Sequence, residues 1–295
     1  MMQNIPALES LQHKLSNIQN LEFIKGGGFK AVYKGFVGGK TEAIKLIYIP
    51  SDIENEGLRD EIIGRTLREI DSIKACDCDY IVRLGSLSPE LITLNGNEYI
   101  VYSEEFLDGV DLRERIIQGH TPDIKTLQCL AFTLFEAISF FKKNDLIHRD
   151  IKPDNVIALQ CAERPFVILD LGIAFKLHGT ALTRLSEFRP GTLPYMAPEM
   201  FNARFRETLD YRSDLYSAGV TLYEYASGKH PITRRRDDEY TTMYRIINSA
   251  PIPLASHRPD LPIEFCKVID QLIKKLPALR PSSIEMLLKK IKEQP

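Results

Sequence analysis

Residues 148–155 read HRDIKPDN, and this stretch decides how the rest of the chain is interpreted. It carries a carboxylate, an ammonium group and a carboxamide at Asp150, Lys152 and Asn155. A carboxylate can orient a hydroxyl and accept its proton, a lysine can steady charge on moving phosphoryl oxygens, and an amide oxygen can help to hold Mg²⁺. The stretch therefore indicates phosphoryl transfer to a hydroxyl. The alternative is a charged surface turn, so the interpretation depends on further parts occurring in order along the chain.

The composition is ordinary for a soluble protein and excludes several classes of partner. The 295 residues are 44% apolar and 26% charged, enough for one large domain or two small ones. A formal net charge of −2 favours neither nucleic acid nor an anionic membrane as a partner. Five cysteines without a secretory start predict reduced thiols and a cytoplasmic location.

The first nineteen residues, 1–19, are expected to form an extension ahead of the main domain. They lack a basic start followed by an apolar block, so they do not form a signal peptide. Their apolar residues lie near helical spacing, which favours a short helix packed on the domain; a docking segment for a partner is the alternative. No apolar run in the chain predicts a membrane span.

A strand-rich first third and a helix-rich remainder predict an α+β fold with two lobes. Helices are expected at 55–75 and 126–143, and the glycine pair at 38–39 predicts a hairpin turn. Strands are expected at 23–24, 31–33, 43–47, 81–87, 98–103, 156–159 and 167–169.

The segment KGGGFKAV at residues 25–32 lies between two expected strands. Glycines allow backbone N–H groups to approach phosphate oxygens closely, whereas a simple hairpin is the alternative. The strand that follows contains Lys45, whose mobile stem needs an orienting carboxylate. We expect Glu69 to supply it rather than Glu61, because three apolar neighbours would turn that part of the helix toward the sheet, namely Leu67, Ile70 and Ile73.

Asp170 begins a DLG sequence that lies twenty residues beyond Asp150 and follows an apolar strand. A carboxylate at a strand end, followed by glycine, can reach a metal ion bound to a nucleotide. An isolated Asp-x-Gly is usually a turn, but its spacing from residues 148–155 favours a ligand. Asn155 and Asp170 are therefore the expected Mg²⁺ ligands, with Mn²⁺ as the alternative ion.

These parts, with GTLPYMAPE at residues 191–199, resemble the eukaryotic-type (Hanks-type) serine/threonine protein kinases over residues 20–290. The single-domain layout resembles bacterial members of the family. The resemblance implies a bilobal fold: a small lobe with an antiparallel β-sheet and one main helix at 20–104, a hinge at 105–109 and a larger helical lobe at 110–293. The domain would thus span residues 20–293.

The resemblance implies ATP as cofactor, with Lys45 on its α- and β-phosphates. Only Gly27 keeps its register in the glycine-rich loop. Lys30 resembles the loop lysine that takes over phosphate contact in the with-no-lysine kinases, but this chain retains Lys45, so Lys30 is expected to be auxiliary. Backbone groups of Glu105 and Leu107 would read the adenine edge, while Glu104 would guard the back of the pocket. The expected nucleotide contacts are Ile24, Gly26, Gly27, Gly28, Lys30, Val32, Ala43, Lys45, Glu105, Leu107, Asp111, Ile157 and Asp170. The expected catalytic residues are Asp150, Lys152, Asn155, Lys45, Glu69 and Thr192.

The resemblance also implies a protein substrate with a Ser or Thr acceptor. Thr192 would bond Asp150 and Lys152, and Glu199 would pair with Arg280. Asp214 and Gly219 would lie on a helix that anchors the catalytic loop. Because Arg149 precedes Asp150, a phosphorylated loop is expected, with self-association for trans-autophosphorylation. The candidate acceptors are Thr183 and Ser186, followed by Thr180.

Two other functions are compatible with parts of the sequence. A pseudokinase would bind partners or nucleotide without turnover, yet the residues that discriminate it from an enzyme are all present: Lys45, Asp150, Asn155 and Asp170. A phosphotransferase acting on small molecules is disfavoured by the protein-docking resemblance of residues 191–199.

Overall fold

The computed structural model describes residues 5–27, 29–49, 56–170, 175–176, 192–202 and 204–293. It divides into two units, one of Met1–Asp77 with Val82–Asp108 and one of Cys78–Ile81 with Gly109–Pro295. The first is rich in strands and the second in helices, which confirms the α+β class.

The first unit is built on a five-stranded antiparallel sheet in the order β1-β2-β3-β5-β4. Gly38 and Gly39 form the predicted two-residue turn between β2 and β3, and both have positive φ, 55° and 89°, as this hairpin geometry requires. The strands are β1 (Gln19–Gly27), β2 (Lys30–Val37), β3 (Lys40–Ile49), β4 (Glu90–Leu94) and β5 (Asn97–Glu105).

A helix packs against each face of this sheet. On one face, α1 (Leu8–Lys14) and the chain after it bury Leu11, Leu15 and Ile18 in a cluster with the sheet residue Tyr33. On the other, α2 (Glu56–Lys74) buries Ile70 in a second cluster with sheet residues. The expectation that Leu67 also faces the sheet is wrong, because its side chain is exposed.

The predicted strand at residues 81–87 does not form. Its backbone N–H groups are instead bonded in part by side chains: Ser86 N–H donates to the Glu42 carboxylate, and Leu87 N–H donates to the Ser103 hydroxyl. Three backbone hydrogen bonds also join residues 83–87 to 103–105, but they form an isolated bridge at Leu84 and Glu104 rather than a regular ladder. The next strand along the chain is β4, which is connected to β5 by a turn at Asn95 and Gly96.

The second unit is mainly helical. Its elements are β6 (Gly109–Asp111), α3 (Leu112–Ile117), α4 (Ile124–Lys143), β7 (Leu146–Ile147), β8 (Val156–Leu159), β9 (Phe166–Ile168), β10 (Phe175–Lys176), α5 (Phe205–Thr208), α6 (Arg212–Ser227), α7 (Glu239–Asn248), α8 (Ile263–Leu272) and α9 (Ile284–Lys292). Two small sheets, β6-β8-β9 and β10-β7, carry the segments that lead into and out of residues 148–155.

Helix α4 is an apolar core element. Contrary to the expectation from the sequence, it is long and apolar enough to cross a membrane by length and composition, alone among helices of the described part of the chain. Half of its twenty residues are buried, including Leu134, Phe135 and Ile138. Burial inside the protein is a sufficient reason for this composition.

Candidate active site

Lys45 lies on β3 with its ammonium group among carboxylates. Its Nζ is 3.3 Å from Glu69 Oε1 on α2, and it also donates a hydrogen bond to Glu104 Oε1 on β5. The second contact follows from strand register: Lys45 pairs with Tyr102, so Glu104 lies two residues further along the same sheet face. All three charged side chains are buried. The contact with Glu69 is the one expected from the sequence, whereas the contact with Glu104 was missed.

Lys30 reaches the same carboxylate. Its Nζ lies 3.8 Å from Glu69 Oε1, and its side chain is 26% exposed, against 5% for Lys45. In the β1–β2 hairpin, Gly27 pairs with Lys30 and Gly26 with Ala31.

Ile5, three residues before α1, covers Gly26. A Cβ atom placed at this glycine would lie 2.7 Å from Ile5 Cδ1, the end of a flexible side chain that would have to move aside. Gly28 lies outside the described residues.

The other first-unit residues that are expected to contact adenine are less buried than Lys45, Glu69 and Glu104. Val32 and Ala43 are half-buried on the sheet face that carries Lys45, and Ile24 is exposed. The backbone N–H of Glu105 donates to Arg83 O, and its carboxylate accepts from Arg83 N–H. The predicted contacts of Glu105 and Leu107 with adenine stay predictions.

Asp150 is the centre of a hydrogen-bond network in the second unit. Its Oδ1 accepts from the backbone N–H and the hydroxyl of Thr192, at 2.9 and 2.8 Å. Its Oδ2 accepts from Lys152 Nζ at 2.7 Å and from Asn155 Nδ2 at 3.0 Å. Lys152 also donates to the Thr192 hydroxyl. The other three residues expected to act on this side are thus each bonded directly to Asp150.

Asp214 on α6 holds the loop that carries Asp150 through hydrogen bonds to the loop backbone. Its carboxylate accepts the backbone N–H groups of His148 and Arg149, both at 2.8 Å. These bonds hold Arg149 at a φ of 67°, a left-handed conformation that is costly for this residue. Burial raises the pKa of the Asp214 carboxyl, and the nearby His148 and the two backbone donors oppose that rise.

His148 links the loop to the end of β9. Its Nδ1 accepts from Asp150 N–H at 3.2 Å, which assigns the proton to Nε2, 3.2 Å from the acceptor Leu169 O. The imidazole therefore sets the spacing between Asp150 and the strand that leads to Asp170.

Asn155 and Asp170 are suited to hold a divalent cation. Asn155 Nδ2 donates to the backbone oxygen and the carboxylate of Asp150, so its carboxamide oxygen is the atom available to a metal. Its backbone oxygen accepts from Leu169 N–H at 2.8 Å, next to Asp170, which has a φ of 70°. The described residues contain no group of three or more His, Cys, Asp or Glu side chains placed to hold a metal ion by themselves. Two oxygen donors without such a cluster fit an ion that arrives with a nucleotide's phosphates.

Asp111 and Ile157 are neighbours because β6 pairs with β8 at these positions. The Asp111 carboxylate caps α3 by accepting Glu114 N–H at 2.9 Å. Its predicted contact with the ribose stays a prediction.

A second charged cluster adjoins the catalytic loop and was not anticipated. The guanidinium of Arg113 contacts Asp154 at 3.3 Å and Glu224 at 2.8 Å, and it donates to the Tyr195 hydroxyl, which donates in turn to Glu224. Burial works against the charged guanidinium, yet hydrogen bonding to Glu224 raises the pKa of Arg113 overall. Asp154 and Tyr195 lie inside recognised motifs, but no local signal marks Arg113 or Glu224.

Glu199 and Arg280 form a bidentate pair at 2.6 and 2.7 Å. Arg280 also donates to the backbone oxygens of Lys274, Arg212 and Lys275, so its buried charge is well compensated. This pair fixes the segment after Thr192 to the chain that leads into α9. The candidate phosphorylation sites Thr180, Thr183 and Ser186 lie outside the described residues.

Comparison with known proteins identifies similar sequences. A family model described as "Protein kinase domain" matches residues 18–291. A probable serine/threonine-protein kinase PknB of Bifidobacterium longum is 30% identical over 231 residues, which are 76% of this chain and 31% of that protein. PknB of Mycobacterium tuberculosis is 30% identical over 185 residues, covering 62% of this chain and 28% of that protein. The serine/threonine-protein kinase ULK3 of Mus musculus is 29% identical over 262 residues, 88% of this chain and 52% of that protein. The matches thus span about a third of each bacterial relative.

Proposed function

This chain belongs to the protein kinase family, and we propose that it transfers the γ-phosphoryl group of Mg-ATP to serine or threonine hydroxyls of protein substrates. The observation that carries the proposal is the network in which Asp150 accepts from Thr192, Lys152 and Asn155. The relatives named serine/threonine-protein kinases support the same acceptor class.

In this proposal the acceptor hydroxyl binds beside Asp150. The carboxylate orients the hydroxyl and accepts its proton, while Lys152 stabilises negative charge on the transferred group. Thr192 holds the Asp150 carboxylate in one orientation through two hydrogen bonds. Most of the rate enhancement would come from positioning rather than from covalent chemistry by the protein.

Asn155 and Asp170 would hold Mg²⁺, or Mn²⁺ as the alternative, through one carboxamide and one carboxylate oxygen. When bound, the ion would neutralise phosphate charge during transfer. Lys45 would contact the α- and β-phosphates, with Lys30 as an auxiliary cation. The residues proposed to enclose the adenine and ribose remain those expected from the resemblance, as does the division of the chain into 1–19 and 20–293.

We further propose autophosphorylation of Thr183 or Ser186, with Thr180 as a weaker acceptor, in self-associated molecules. Arg149 supports it, because an arginine next to the catalytic aspartate can pair with a phosphorylated side chain. The test is the intact mass after incubation with Mg-ATP, with Asp150→Ala as the control. Active enzyme that gains no phosphate would contradict the proposal.

The main experiment compares labelled-ATP transfer to protein or peptide acceptors with transfer to small metabolites. We expect phosphoserine or phosphothreonine in the peptides with the wild-type chain and none with Asp150→Ala. Nucleotide binding without transfer to any acceptor would favour a pseudokinase. A phosphoproteome comparison of cells carrying the same two variants would identify the substrates and test the proposed cytoplasmic setting.

A further inference from the structure

Four charged side chains of the first unit meet on one face of its sheet. Glu69 Oε1 lies 3.3 Å from Lys45 Nζ and 3.8 Å from Lys30 Nζ, so one carboxylate faces two ammonium groups. Lys45 bonds a second carboxylate, that of Glu104. Two ammonium groups and two carboxylates thus meet at this place.

Burial makes the balance of these charges important. The side chains of Lys45, Glu69 and Glu104 are 5%, 7% and 2% exposed. Removing one partner of a buried ion pair is costly, so the contact with Glu104 strongly restrains Lys45. The strand-borne Glu104 lies within reach of Lys45 because Ala43 and Glu104 are directly paired across β3 and β5.

We propose that Glu104 is a positioning residue that restrains Lys45 at a site where two lysines face the Glu69 carboxylate. Glu104 holds Lys45, while Glu69 is shared between Lys45 and Lys30. The role of Lys45 in this inference rests on the proposed function, but its restraint by Glu104 can be measured without any phosphoryl transfer.

The experiment measures how fast the Lys45 amine of the full chain reacts with isotopically coded acetic anhydride in the absence of nucleotide, with exposed Lys267 as the internal reference. Glu104→Gln keeps the size of the side chain and removes its charge. We expect it to accelerate Lys45 labelling about tenfold, the effect of losing one charge-assisted hydrogen bond. Glu42→Gln is the matched control, because Glu42 is a buried carboxylate of the same sheet that bonds Ser86 and Ser103.

The decisive variant combines Glu104→Gln with Lys30→Met. Of the two lysines, only Lys45 then remains beside Glu69, so labelling is expected to return to within about twofold of the wild-type rate. A packing role for Glu104 predicts no such rescue. Unchanged labelling in Glu104→Gln, or acceleration that Lys30→Met does not reverse, would overturn the proposal.

Thermal unfolding gives a second readout. If Glu104→Gln does not fold, the double variant is expected to recover a cooperative transition, and its failure to do so would also overturn the proposal. Kinetics separate this inference from the proposed function: Glu104→Gln should lower kcat more than it raises KM for ATP. If the labelling rates change as expected but the wild-type chain transfers no phosphoryl group, the proposed function is rejected and the positioning role of Glu104 is retained.

Discussion

Thr192 donates two hydrogen bonds to one oxygen of Asp150, from its backbone N–H at 2.9 Å and from its hydroxyl at 2.8 Å. Thr192→Val removes only the second bond, so the carboxylate keeps its contact but loses part of its orientation. We expect kcat to fall about tenfold, as for the loss of one hydrogen bond to a charged group. Thr192→Ser keeps the hydroxyl and should retain most activity in a steady-state peptide assay. Equal kcat values for the two variants would contradict this role.

The two lysines of the first unit should contribute unequally. Lys45 is buried between carboxylates, whereas Lys30 is partly exposed and further from Glu69. We expect Lys45→Ala to abolish phosphoryl transfer and Lys30→Ala to weaken it. Lys40→Ala, at the exposed β2–β3 turn, is the matched control and should resemble the wild type. The assignment fails if a labelled-ATP assay ranks Lys30→Ala below Lys45→Ala.

Arg113 should affect the protein substrate more than ATP. Its guanidinium joins Asp154 in the catalytic loop to Tyr195, three residues after Thr192. Arg113→Met would leave Glu224 without its charged partner and destabilise the fold by roughly 2–3 kcal/mol. We expect KM for a peptide acceptor to rise several times more than KM for ATP. Arg115→Met, on the same helix, is the control, since Arg115 makes a long contact with Tyr225 at 3.4 Å. Equal increases in both KM values would argue against the role.

The lowered pKa of Lys275 predicts that the stability of the protein changes with pH in the alkaline range. Burial, with the nearby charge of Arg280, lowers the pKa of Lys275 to about 8, although its Nζ donates to Ile246 O at 2.6 Å. Between about pH 8 and 10.5 the unfolded chain therefore binds more protons than the folded chain, so this group makes stability rise with pH. In urea unfolding from pH 7.5 to 10, the stability of the wild type relative to Lys275→Met should increase. A constant or falling difference would contradict the lowered pKa.

The catalytic side was predictable because its determinants are local in sequence. Asp150, Lys152 and Asn155 lie in one short loop, and their bonds to one another need only that loop and Thr192. The hairpin at Gly38 and Gly39 was predictable for the same reason, since glycine pairs suit positive φ.

The remaining contacts depend on register and on side chains distant in sequence. Glu104 reaches Lys45 only because β3 and β5 align as they do, and no local pattern encodes that alignment. The chain at residues 81–87 has strand-like composition, but the side chains of Glu42 and Ser103 accept two of its N–H groups and interrupt its backbone bonding to residues 103–105. The Asn95-Gly96 turn that precedes β5 was a readable hairpin signal, and it was missed.

The packing of α1 bears on how the protein should be produced. A clone trimmed to the family match, which begins at residue 18, would delete Leu11 and Leu15, both buried against the sheet, together with Ile5 over Gly26. The trimmed protein would expose an apolar surface around Tyr33, and we expect it to aggregate. For crystallisation or inhibitor screening, residues 5–18 belong to the minimal folding unit.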